Sequence, residues 1–168
     1  PGSSSTCARG MAAPAYETAA ALRAACRAKE FTAPTSGQAA GHVQANLVIL
    51  PQQYAREFRQ FCESNAAPCP LLEATEPGDF EARRLAPGSD VRTDLPRYCV
   101  WIDGVLSEER TDVSDLCTED MQAFLLGCSF TWEGRLAAAG LVPRHVEEGR
   151  NVPMFNTSIP LRGVGPFQ

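Results

Sequence analysis

The chain has a single lysine, Lys29, and only two histidines, His42 and His145, among 168 residues. Those histidines lie far apart with no ligand spacing around them, so no metal site is expected. The seven cysteines, at positions 7, 26, 62, 69, 99, 117 and 128, are odd in number and contain no C-x-x-C pair. That pattern suggests neither a disulfide framework nor a zinc site, and fits reduced thiols in a cytosol-like compartment. Long apolar runs are absent too: residues 47–50 and 124–126 fall far short of the roughly 20 residues that a membrane-spanning helix needs, so no membrane span is expected. Surplus positive charge is also missing. A net charge of -5 argues against nucleic acid as a partner, because phosphate-binding surfaces concentrate Lys and Arg. What cation there is comes almost wholly from arginine, the side chain suited to gripping carboxylates with two parallel hydrogen bonds; a GC-rich genome would produce the same bias. With 44% hydrophobic residues, a chain of this length can bury a core.

Local patterns divide the chain. Residues 1–10 are rich in Ser and Gly and read as a disordered tail or the remnant of a processed targeting peptide. Tyr16 to Glu30 is alanine-rich and predicts a helix, and Pro34, Ser36, Gly37 and Gly41 then predict a loop. Val43 to Leu50 reads as a buried strand ending at Pro51. A helix follows directly, with Tyr54, Phe58, Phe61 and Cys62 on its inner stripe, ending near Asn65. Leu71-Leu72 predicts a short strand, and Glu76 to Pro96 a long loop of the kind that is more often functional than idle. Asp103-Gly104 between Tyr98 to Ile102 and Val105-Leu106 predicts an antiparallel hairpin. Thr118 is read as the cap of a helix through Gly127, with Met121, Phe124 and Leu125 facing inward. Thr131 is read as the cap of a second helix, with Glu133 in its first turn and Gly140 as its stop. Strands, helices and one hairpin together predict an α/β or α+β fold.

Three stretches concentrate polar groups: residues 76–79, 90–94 and 144–151. The last is the sharpest, packing Arg144, His145, Glu147, Glu148, Arg150 and Asn151 around Gly149, which supplies acids, bases and anion binders in eight residues. A solvated charged loop has the same composition. Asp90, Arg92 and Asp94 alternate as on an extended stretch, which would fit a site or an exposed, ion-paired edge. Gly127-Cys128-Ser129-Phe130, read as the junction of two helices, offers backbone N-H groups that could receive a carboxylate. Cys128 is a nucleophile on one reading and a small core residue on the other.

Taken together, the blocks VQANLVILP (43–51), TEPG (75–78), APGSDVRTDLP (86–96), FLLGCSF (124–130) and HVEEGRNVPM (145–154) resemble the hydro-lyase family that includes D-glutamate cyclase. The resemblance runs from about Met11 to Phe167 and corresponds to the N-terminal two thirds of the family. It implies a partial hydro-lyase domain over residues 11–168: an α/β, three-layer sheet-and-helix domain with a smaller α+β insertion holding the hairpin, shortened at its C-terminal end relative to the family. The resemblance further implies a mitochondrial setting in a eukaryote and a cytoplasmic one otherwise.

The activity so implied closes D-glutamate, a small dicarboxylate amino acid, to 5-oxo-D-proline with loss of water, and it needs no metal or organic cofactor. Such a reaction requires a carboxylate clamp, proton transfer and oxyanion donors. For these needs, and within the motifs that carry the resemblance, Glu147, Glu148 and Asn151 are the expected catalytic residues, and Arg92, Asp94, Ser129, His145 and Arg150 the substrate-binding ones. The alternatives are a non-catalytic structural subunit of a larger assembly, with protein partners or further copies of the chain covering its apolar face, and a module that binds dicarboxylates without turning them over.

Overall fold

The computed structural model describes residues 16–150, 152 and 154–168; the expected tail over residues 1–10 and Asn151 lie outside the described residues. Helix α1, Ala19–Arg27, begins where the Thr18 hydroxyl accepts the Ala21 N-H at 3.1 Å. It buries Leu22, Ala25 and Cys26 against Phe31 and Ala39, a small core of its own.

Strand β1, Ala45–Pro51, passes directly into helix α2, Gln52–Ser64, as a proline at a helix start permits. The buried stripe of α2 is Ala55, Phe58, Phe61 and Cys62. Tyr54, expected on that stripe, is instead 41% exposed, because the small Ala55 takes the inward position beside it. Strand β2, Leu71–Ala74, follows, and after the long loop come β3, Tyr98–Ile102, and β4, Val105–Arg110. The β3–β4 turn is the expected one: Asp103 and Gly104 both adopt left-handed φ, at 49° and 77°, the requirement of a two-residue hairpin. The chain continues through β5, Met121–Gly127, α3, Phe130–Ala138, and the single turn α4, Arg144–Glu147.

The segment read as a helix after Thr118 is β5, the centre of a three-stranded sheet ordered β1-β5-β2. Its neighbours explain the difference. Phe124 and Leu126 join the cluster of Phe58, Phe61 and Cys62 on one face, while Ala123 and Leu125 join Phe80, Ala82 and Val91 on the other. A strand covered on both faces shows no alternation, and its unbroken apolar run mimics a buried helix. Both pairings of β5 are antiparallel, with Val48 opposite Phe124 and Ala74 also opposite Phe124. The mixed α/β class therefore holds, with antiparallel strands throughout the sheet.

Helix α2 covers one face of this sheet and the irregular segment 80–95 covers the other. Side chains fasten that segment down. The Glu73 carboxylate accepts the N-H groups of Arg84 and Leu85 at 2.9 and 2.8 Å, and the Tyr98 hydroxyl donates to the Val91 carbonyl at 2.9 Å. Residues near the C-terminus return over α2: the buried Asn65 amide exchanges hydrogen bonds with the Arg162 backbone, and the Phe167 ring meets Phe58 at 5.1 Å.

Candidate functional site

The N-cap position of helix α3 is Ser129, two residues before the expected cap, Thr131. Thr131 instead ties the helix to the entrance of β1, its hydroxyl accepting the Gln44 N-H at 3.0 Å and donating to the Gln44 carbonyl at 3.2 Å. The junction at residues 127–130 is consequently strand to helix rather than helix to helix, and Cys128 is half-buried, its N-H donating to the Gln44 carbonyl.

Spacings of three and four residues place Phe130, Glu133, Gly134 and Ala137 on one face of α3, and all four line a cavity of about 180 Å³. The opposite wall is the loop 37–44, and Pro143 and Val146 close the end. That volume lies below the roughly 300–1,000 Å³ of sites for drug-sized ligands and suits a molecule of amino-acid size. The loop is held in a costly shape. Gly37 and Gly41 have left-handed φ of 74° and 82°, and Ala39, with a side chain, has φ 46°, a conformation that costs of order 1–3 kcal/mol and persists only where surroundings enforce it. The enforcement is visible: Ala39 donates to the Tyr16 carbonyl at 2.7 Å, and the Gln44 amide donates to the carbonyls of Thr35 and Gln38.

Glu133 is the acid in this wall, with its side chain 8% exposed. One carboxylate oxygen accepts the Ser36 hydroxyl at 2.7 Å and the other lies 2.6 Å from His145 Nε2. Three separate parts of the chain, the loop, α3 and α4, meet at this one carboxylate. A buried charge is costly unless paired and hydrogen bonded; here Ser36 and His145 supply both partners. Glu133 carries a sequence signal, an acid within an otherwise apolar face, which its position in the first turn of a helix masks. Ser36, 97 residues away, carries none.

Of the expected site residues, His145 joins this cluster, and Ser129 opens the helix whose next residue lines the cavity. Glu147, Glu148 and Arg150 are exposed on and after α4, where Arg150 pairs with Glu148 at 2.7 Å. Arg92 and Asp94 belong to a second cluster, and no hydrogen bond or ion pair among the described residues links it to residues 144–150. Residues 90–94 form turns rather than an extended stretch: Asp94 N-H donates to the Asp90 carbonyl at 2.9 Å. Arg92 binds Asp90 through two nitrogens, at 2.9 and 2.7 Å, and lies over the Phe80 ring. That guanidinium holds the Asp90 carboxyl below its ordinary range. Asp94 is buried and receives Arg27 at 2.7 Å on each oxygen. Among the described residues no group of three or more His, Cys, Asp or Glu side chains converges as a bound metal would need, and no helix is long and apolar enough to cross a membrane.

A mixed α/β protein with a buried acid, hydrogen bonded to an imidazole, at the wall of a small cavity is the class that fold and site define. Comparison with known proteins is more particular. The sequence family described as D-glutamate cyclase matches residues 122–168, the stretch that holds β5, α3 and α4. A putative hydro-lyase of Geobacillus kaustophilus is 51% identical over 142 residues, covering 84% of this chain and 54% of that protein. One from Bordetella petrii is 50% identical over 155 residues, covering 92% and 59%, and one from Rubrobacter xylanophilus 52% identical over 149 residues, covering 89% and 58%. This chain resembles that family of putative hydro-lyases over most of its own length, and it spans little more than half the length of the curated relatives it matches.

Proposed function

We propose that the protein is a hydro-lyase that converts D-glutamate to 5-oxo-D-proline and water. The observation that carries this reading is a coincidence of position. The stretch matched by the D-glutamate cyclase family contains the α3 face, with Glu133, and Val146 of the α4 turn, which wall the cavity, together with His145, which holds Glu133 from behind. Chemically, the amine nitrogen attacks the side-chain carboxyl carbon, a C-N bond forms, and one C-O bond breaks. The two protons that leave the ammonium are the two that depart with the oxygen as water. The reaction is neither a redox step nor a net proton release, so the groups it asks for are acids and bases that accept a proton and return it.

Within this reading Arg150 and Arg92 bind carboxylate, with Asp94 beside Arg92. Proton transfer falls to an acid near His145, for which the sequence offers Glu147 and Glu148, and Asn151 together with the N-H groups after Ser129 stabilises the oxyanion. The whole protein has a three-layer sheet-and-helix domain in which the β3–β4 hairpin lies in the smaller inserted unit. The relatives named above are bacterial, which favours the cytoplasmic over the mitochondrial setting.

A second reading, a non-catalytic structural subunit, is favoured by the exposure of Met154, Phe155 and Ile159 at 85%, 82% and 77%, a concentration of bare apolar side chains that partners commonly cover. One experiment separates the two. Incubation of the purified chain with D-glutamate, followed by chiral chromatography, is expected to yield 5-oxo-D-proline. Yield no greater than in a protein-free control removes the enzymatic reading and leaves the structural one.

A further inference from the structure

The groups that handle protons need to be buried, shielded from bulk water and in reach of the substrate. We infer that Glu133 is the proton-transfer group of the cavity, and that His145 and Ser36 are positioning residues acting through it. This rests on the cyclisation reading above. Glu133 is the only carboxylate among the described residues lining the cavity, whereas Glu147 and Glu148 are exposed and outside it. Each of its oxygens accepts or shares one hydrogen bond, to Ser36 on one side and His145 on the other, within 2.7 Å. A carboxylate has about four lone-pair sites, so this leaves two for a substrate while the plane of the group is fixed.

The 2.6 Å contact to His145 Nε2 keeps the carboxyl group partnered throughout the reaction. Glu133 takes one proton from the substrate ammonium to free the attacking amine and a second from the nitrogen once the C-N bond has formed, and it passes each to the departing oxygen, which leaves as water. No oxidant, reductant or cofactor enters the balance. His42, the other histidine, lines the loop side of the same cavity, with Nδ1 3.1 Å from the Ala39 carbonyl. It makes no hydrogen bond to Glu133 and serves as the internal control.

Glu133→Gln, which keeps the shape of the side chain and removes the transferable proton, is expected to lower kcat with D-glutamate at least 100-fold while changing KM less than about threefold. Glu133→Asp should recover part of kcat, and Ser36→Ala should lose about tenfold with KM little changed. A readout independent of turnover is the ¹⁵N spectrum of the two imidazoles: Glu133→Gln should move the His145 signals and leave those of His42 in place, and circular dichroism should match the parent. Turnover by the parent with undiminished kcat in Glu133→Gln, or unmoved His145 signals in that variant, overturns this assignment and leaves the cyclisation reading standing. No turnover by the parent overturns that reading itself and this role for Glu133 with it.

Discussion

Asp94 illustrates how much a single charge depends on its surroundings. Its carboxylate is buried, takes Arg27 on both oxygens, and also accepts the Asp90 N-H at 3.1 Å. The arginine is half in solvent, its side chain 52% exposed, so removing the acid frees Arg27 to rehydrate rather than stranding a buried cation. The loss should therefore fall below the 3–5 kcal/mol typical of a fully buried broken pair. We expect Asp94→Asn to destabilise the fold by about 2 kcal/mol, and Glu148→Gln, which breaks the exposed Arg150 pair, by less than about 0.5 kcal/mol. Urea unfolding of both variants tests the contrast, and equal midpoints would show that the buried pair contributes nothing special. The sequence shows both polar stretches but does not tell the buried pair of Asp94 from the exposed pair of Glu148.

At the scale of elements, β5 decides the fold. Phe124 is fully buried between α2 and the two flanking strands, and its truncation leaves a cavity that neither sheet neighbour can fill. Phe124→Ala is expected to cost about 3–5 kcal/mol, against about 0.5 kcal/mol for Leu136→Ala on the exposed side of α3, both read from denaturant midpoints; similar losses would mean that β5 is not the central strand. The same strand marks the limit of what the sequence discloses. Helices α1 and α2 and the hairpin are legible because one face of each is wet, which writes a period or a turn signature into the chain. A strand covered on both faces writes neither, and Thr118, Glu119 and Asp120 ahead of it imitate a helix start. The site divides in the same way. The polar run at 144–151 is visible because its residues are consecutive, and His145 is legible through it. Glu133 and Ser36 are not, because their meeting depends on the loop 31–44 folding back onto α3, which no local pattern records.

For the whole molecule, these clusters make stability depend on pH at both ends. On the acid side, the backbone N-H of Glu81 and the Arg83 side chain hold Asp79 below its ordinary value, and Arg92 does the same for Asp90. Below about pH 4 the unfolded chain binds protons that the folded chain refuses, so stability falls as pH falls. On the alkaline side, burial first and the Asp94 charge second push the Cys26 thiol from 9.0 up to about 11, and burial raises Cys62, Cys117 and Tyr98 too. There the folded state retains protons that the unfolded chain releases, and stability falls as pH rises from 9 through 11. A plateau between these limbs follows. Each group contributes a slope of up to about 1.4 kcal/mol per pH unit within its own window. Cys26→Ala should lower the plateau by about 1 kcal/mol for the packing lost while flattening the alkaline limb by up to one such slope. Asp90→Asn should flatten the acid limb most, with a smaller effect on the alkaline limb through Cys117 and Tyr98, which the Asp90 charge helps to raise. Urea unfolding across a pH series reads both effects, and an alkaline limb equally steep with and without the Cys26 thiol would place the proton release elsewhere in the molecule.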